Sequence, residues 1–126
     1  MNAELVIRSL LYVPASSQRF IAKAHERGAD AIILDLEDSV APAEKLAARA
    51  RLRESVAGAG SKGALVFVRI NAASDLLRAD AETACRAGAF GLFVPKSRDP
   101  RMLQELVQVL EQCERARVAC PPCSCP

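Results

Sequence analysis

DAIILDLED, residues 30–38, sets four aliphatic side chains directly before Asp35, Glu37 and Asp38. A short, unbroken apolar run of this kind is the pattern of a strand covered on both faces, and such runs favour parallel pairing. Strand period sends Asp35 and Glu37 to one side and Leu36 and Asp38 to the other, so two carboxylates project the same way. Either the acidic end is a solvated turn that caps the next helix, with Asp38 as the capping residue, or it is a set of ligands at the mouth of a parallel sheet.

Outward from this stretch the same pattern repeats. LLYV (10–13), AIILDL (31–36), LVFVRI (65–70) and GLFVP (91–95) are apolar runs of strand length. Helix punctuation separates them. Ser16 or Ser17 caps a helix through FIAKAHER that stops at Gly28, and Pro42 opens an Ala-rich helix ending near Gly58 and Gly60. A third helix covers about 75–87, with Ala81, Ala84 and Cys85 inward and Gly88 as its stop. The fourth takes Asp99 as cap and Pro100 as its first residue, and Leu103, Leu106, Val107 and Leu110 form an apolar stripe. The fold class is therefore α/β, built from four parallel (βα) units with right-handed crossovers.

Two architectures satisfy that alternation. One is an open doubly wound sheet, complete at 126 residues; the other is the first half of a TIM (β/α)8 barrel, which takes about 250 residues in full. The first βα turn, VPASSQR, has neither G-x-G-x-x-G nor G-K-[ST], which removes most of the weight from phosphate-loop readings. In both architectures the carboxyl ends of the strands form the ligand rim. Asp35, Glu37 and Asp38 follow the second run, Arg69 and Asn71 the third, and Lys96 the fourth. Arg69, on a planar fork, suits a substrate carboxylate, and Asp35 and Lys96 are candidate substrate contacts beside it. The alternative for Arg69 is an ion pair with Glu37 that only holds the rim together.

Composition narrows the partners. Net charge is +2, from 17 basic and 15 acidic residues, with no basic run and 4% aromatic content, so no nucleic-acid footprint is present. No window approaches the ~18 apolar residues of a membrane span, and Glu4 and Arg8 interrupt the N-terminal apolar stretch, so neither a membrane nor a signal peptide is indicated. Five cysteines, an odd number, argue against a disulfide framework and for a cytoplasmic setting. His25 is the single histidine, which leaves a Ser/His/Asp or Cys/His constellation without support.

Together, RSLLYVPASSQRFIAKAHERGADAIILDLEDSVAPAEKLAARARL, VFVRIN and RAGAFGLFVPKS resemble the N-terminal part of the HpcH/HpaI aldolase and citrate lyase superfamily, in the manner of citrate lyase beta subunits and malyl-CoA lyase-like enzymes. The resemblance spans about residues 8–97 and implies a (β/α)8 barrel, usually homo-oligomeric. Its implied chemistry is Mg²⁺-dependent carbon–carbon cleavage or formation in 3-hydroxy acyl-CoA thioesters, or in related 2-oxo acids. Citryl-CoA and malyl-CoA are examples. In that reading Arg69 holds the substrate carboxylate or carbonyl oxygen. Glu37 and Asp38 sit beside the metal without ligating it. Arg19 and Lys23, with Arg8, meet the CoA phosphates, and Lys45 assists on the same rim.

The resemblance also implies two direct metal ligands, a Glu and an Asp on later strands, which this sequence does not supply. Residues 1–112 are accordingly expected to form a partial barrel truncated after about four units. Residues 113–126, ending in CPPCSCP, are expected to be a divergent, disordered tail. A chain of this kind is expected to lack activity by itself and to self-associate through its open strand edges. The competing expectations are a noncatalytic α/β interaction module whose acidic residues are only caps, and a flavodoxin-like regulatory sheet in which Asp35, Glu37 and Asp38 bind Mg²⁺ themselves.

Overall fold

The structure, a computed structural model, describes residues 5–119, with side-chain surroundings through residue 116. Strands β1 (Leu10–Pro14), β2 (Ala31–Asp35), β3 (Leu65–Arg69) and β4 (Gly91–Phe93) lie where the apolar runs place them. Helix α1 (Gln18–Lys23) is capped by the Ser17 hydroxyl, which accepts from the Phe20 N–H at 3.3 Å. It runs on as a 3-10 turn, Ala24–Arg27, and ends at Gly28, whose φ of 76° is reached there without a Cβ penalty.

The Ala-rich segment is not one helix. A 3-10 turn at Pro42–Glu44 leads into α2 (Lys45–Ala50), and α3 (Leu52–Ala59) follows a break at Arg51. Ala48, Leu52, Ser55, Val56 and Ala59 nevertheless stay on one buried face, so the break bends the segment along the sheet without turning its apolar side away. Helix α4 (Ser74–Arg86) ends just before Gly88, and α5 (Pro100–Ala119) begins at the expected proline.

All neighbouring strands are parallel, and their order is β1-β2-β3-β4. A doubly wound sheet reverses its strand order at a switch point, whereas this one advances in a single direction. That overturns the flavodoxin-like alternative. Right-handed crossovers that always step the same way put every helix on the same face. Val13, Ile32, Leu34, Val66 and Val68 accordingly bury against Ile21, Leu52, Val56, Leu77 and Ala81 from the helices. The chain is thus a wall of four (βα) units, the α/β arrangement of part of a TIM-like barrel.

The other sheet face carries Leu10, Tyr12, Ile33, Phe67 and Phe93 and has no helix over it among the described residues. Of the four runs expected to be covered on both sides, only β2 is buried throughout. Leu10 and Tyr12 are exposed, while Phe67 packs edge-on against Phe90 and Phe93 with ring centroids 5.4 and 5.3 Å apart. Gly91 permits this, because a Cβ there would lie 3.0 Å from the Phe67 ring.

The α5 stripe is also rotated from its expected position. Leu106, Val109 and Cys113 are buried, with Met102 and Leu110 packed beside them, whereas Leu103 and Val107 are 43% and 53% exposed. The reason is that α5 packs chiefly on α4, which covers one narrow flank. Helix α5 continues to Ala119, past the boundary expected at residue 112, and Cys113 belongs to the core rather than to a tail. CPPCSCP lies outside the described residues. Among those described, no helix is long and apolar enough to cross a membrane.

Candidate functional site

Parallel register brings Pro14, Asp35, Arg69 and Phe93 into one row at the carboxyl ends of the four strands. Asp35 and Arg69 are therefore lateral neighbours on the face without helices. Arg69 donates to Asp35 through Nε at 2.8 Å and Nη2 at 2.7 Å, a bidentate fork. Asp35 is 1% exposed and accepts three further hydrogen bonds, from the Glu37 N–H (2.8 Å), the Ser39 N–H (3.0 Å) and the Ser39 hydroxyl (2.6 Å). Burial alone pushes its carboxyl upward, but the Arg69, Ser39 and Glu37 hydrogen bonds outweigh it and hold the group well below the usual carboxylate range. Arg69 is driven upward, first by its hydrogen bonds to Asp35. Its guanidinium lies 4.8 Å from the Tyr12 ring centroid, a cation–π contact.

Glu37 stands one turn of chain beyond Asp35 and is 8% exposed. Its Oε2 accepts from Lys96 Nζ at 2.9 Å, and its Oε1 lies 3.7 Å from Arg69 Nε. Oε1 is buried and has no hydrogen-bond partner. Asp38 is exposed, 3.5 Å from Lys96 Nζ. The segment that follows it is capped at Ala41, so Asp38 is not the helix cap. Lys96 reaches both carboxylates from a left-handed backbone at φ 53°, a conformation that costs a non-glycine residue about 1–2 kcal/mol. Its ammonium is raised, first by the Glu37 hydrogen bond.

The structure thus gathers Asp35, Glu37, Asp38, Arg69 and Lys96 at one rim. Lys45 lies directly behind it, with Nζ on Leu36 O, Glu37 O and Asn71 Oδ1. Arg19 and Lys23 come together elsewhere, in a cavity of about 460 Å³ along the open edge of β1 that Arg27 and Phe20 also line. Tyr12 borders that cavity too, so one side chain joins it to Arg69. Arg8 is not brought to either place. It stands before β1, at the opposite end of the strands, with Nε and Nη2 on the two Asp30 carboxylate oxygens at 3.0 Å each.

Ser39, Tyr12, Arg27, Arg49 and Asp80 were not singled out by the sequence reading. Asp80 had a legible signal, since it stands between Leu77, Ala81 and Ala84 on the inward stripe of α4 where an unpaired carboxylate is costly. The Glu37 N–H closes an Asx turn on Asp35, and Ser39, four positions on, adds its N–H and hydroxyl to the other carboxylate oxygen, a pattern visible only once the strand end is known.

The family profile described as HpcH/HpaI aldolase/citrate lyase matches residues 8–119. The chain belongs to the HpcH/HpaI aldolase/citrate lyase family. Similar members include a (3S)-malyl-CoA thioesterase of Cereibacter sphaeroides, 41% identical over 90 residues, which are 71% of this chain and 32% of that protein. Citrate lyase subunit beta of Leuconostoc mesenteroides subsp. cremoris is 30% identical over 116 residues, 91% of this chain and 38% of its own length. The mitochondrial citramalyl-CoA lyase of Rattus norvegicus is 34% identical over 100 residues, 77% of this chain and 30% of the rat protein. HpcH/HpaI members of the citrate lyase beta type thus include CoA-ester lyases and thioesterases, and the chain spans about a third of the length of these curated relatives.

Whether this HpcH/HpaI chain could ligate a divalent metal by itself is decided by its donors. Asp35 is saturated by five hydrogen bonds, two of them from a guanidinium. Glu37 has one oxygen without a hydrogen-bond partner, but it is buried and its carboxylate is flanked by Arg69 and Lys96, and no group of three or more His, Cys, Asp or Glu at ligand spacing exists among the described residues. Direct chelation by the acidic trio does not fit. Glu37 Oε1 does fit a role one water removed, as acceptor from a metal-bound water.

Proposed function

We propose that this chain carries the carboxylate-holding and CoA-facing part of the active-site rim of a CoA-ester lyase. The substrate class is a 3-hydroxy acyl-CoA thioester, or a related 2-oxo acid, with a carboxylate on the acyl group. The observation that carries the reading is the Asp35–Arg69 fork at the strand ends, with Tyr12 shared between Arg69 and the cationic cavity. Two of the five Arg69 N–H groups are occupied by Asp35, so the remaining edge is available to a ligand oxygen and is held in place for it. Arg19, Lys23 and Arg27 line a cavity of the sign needed for phosphates.

In such a cleavage the 3-hydroxyl gives up its proton to water as its O–H electron pair forms the C=O of the departing 2-oxo fragment, the carbon–carbon electron pair passes into the thioester as an enolate, and the enolate carbon takes one proton back from water. Arg69 holds the carboxylate or carbonyl oxygen of that fragment. Asp35 fixes the plane of the guanidinium. Mg²⁺, when bound, supplies positive charge against the developing oxygen anion, and Glu37 with Asp38 beside it would hold its water shell. Cytoplasmic location is part of the same proposal.

The described residues form four strands, half the number in an eight-stranded barrel, and their acidic trio does not make a metal site, so the 126-residue chain is proposed to bind without turnover. Self-association through the uncovered face and the β1 and β4 edges is part of the proposal. Incubation with malyl-CoA and Mg²⁺ checks it: bound thioester recovered intact is expected. Carbon–carbon cleavage by this chain would overturn the inactivity, and absence of any binding would overturn the rim assignment.

A further inference from the structure

Lys45 opens α2, and the family resemblance implies for it a place among the cations of the CoA-facing rim. Its surroundings assign it another task. Nζ donates to Leu36 O at 2.9 Å, Glu37 O at 2.6 Å and Asn71 Oδ1 at 2.7 Å. An ammonium has three donors, and all three are occupied by protein acceptors. The two carbonyls belong to the peptide groups on either side of Glu37, so one ammonium pins both planes that set the direction of the Glu37 side chain. A planar guanidinium could not converge on three acceptors in this way.

The partner of Lys45 is itself held. Asn71 donates to Asp80 Oδ2 through its backbone N–H at 3.0 Å and through Nδ2 at 2.7 Å. Arg49, one turn beyond Lys45 on α2, donates to Asp80 Oδ1 at 2.7 Å. Asp80 is 1% exposed. The chain Arg49–Asp80–Asn71–Lys45 therefore ties α2, α4 and the exit of β3 to the exit of β2, beneath the carboxylate pair. Such a network, with Asp80 and Asn71 buried and Lys45 and Arg49 half-buried around them, favours a single arrangement.

We propose that Lys45 is a positioning residue for the Glu37 and Asp35–Arg69 rim, supported from behind by Asn71, Asp80 and Arg49, and is not a contact for the CoA phosphates. The inference rests on the rim reading above only for the identity of the ligand. Glu37 Oε1, buried without a hydrogen-bond partner, points where it does because its flanking peptides are held by Lys45.

The test compares Lys45→Met with the unsubstituted 126-residue chain, using glyoxylate and free CoA as separate probes in calorimetric titrations. Glyoxylate affinity is expected to fall about tenfold or more while CoA affinity stays within about twofold. Loss of CoA affinity with glyoxylate binding intact would overturn the proposal, as would equal loss of both. NMR supplies a readout independent of any ligand: substitution is expected to shift the Glu37 carboxyl carbon and the Arg69 Nε–H signals, and unchanged signals would also overturn it. Should Lys45→Met fail to fold, the unsubstituted chain decides alone. Its Lys45 ammonium protons are expected to exchange with water far more slowly than those of Lys62, and equal exchange would sink the proposal. If glyoxylate fails to bind the unsubstituted chain while these signals behave as expected, the ligand assignment falls and the positioning role stands.

Discussion

Arg69 and Asp35, at the same register on adjacent strands, meet through two parallel hydrogen bonds of 2.8 and 2.7 Å just where β2 and β3 end. Asp35 is buried, so removing its cation leaves a carboxylate with no neutralising partner. Arg69→Met is expected to lower stability by about 3 kcal/mol, at the lower end of the cost of breaking a buried pair because Arg69 is partly exposed. Urea denaturation checks this, with a fall of the midpoint at constant slope as the expected form.

Acid sensitivity follows from the depressed carboxyls. Asp30 is lowered to about 2 by its hydrogen bonds to Arg8, and Asp35 is held lower still by Arg69 and Ser39 against the opposing effect of burial. A group whose folded value lies below its unfolded value stabilises the fold above the unfolded value, about 3.9 for Asp, and that contribution fades as pH falls toward the folded value. Stability is therefore expected to decline from about pH 4 downward, and Asp30→Asn is expected to make the decline shallower between pH 4 and about 2. Denaturation midpoints measured across that range give the comparison; a decline of equal steepness in both proteins would contradict the assignment.

The uncovered face makes a prediction about dynamics and association. Among the described residues β1 and β4 each have one unpaired edge, while β2 and β3 are paired on both sides. Amide exchange is expected to be faster in Leu10–Pro14 and Gly91–Phe93 than in Ala31–Asp35 and Leu65–Arg69. Sedimentation is expected to show concentration-dependent association that Tyr12→Glu and Leu10→Lys weaken, because both side chains lie exposed on that face. A monomer at all concentrations would favour a self-sufficient module.

The strands and most helix ends were legible because they are local: continuous aliphatic runs, the Ser17 cap, the Gly28 and Gly88 stops and the Pro100 start are each written in a few residues. The rim residues Asp35, Glu37, Arg69 and Lys96 were legible for a similar reason, since parallel strands deliver their last residues to one opening. Side-chain partners were not. Lys45 has the charge of a phosphate ligand in sequence, and only the return of β3 beside β2 places Asn71 and two carbonyls around it. Arg8 likewise has the right charge and stands at the wrong end of a strand, next to Asp30. The Leu103 and Val107 error has the same origin, because helical period allows two overlapping stripes and only the position of α4 selects between them.

The Arg69 guanidinium as the seat of the substrate carboxylate is tested most directly by following its Nε–H signal during a glyoxylate titration of the 126-residue chain. A saturable shift at Arg69, accompanied by Tyr12 and Lys96 and abolished in Arg69→Lys, is the expected result. Saturable glyoxylate binding that leaves the Arg69 signal unmoved, or that survives unchanged in Arg69→Lys, would contradict it.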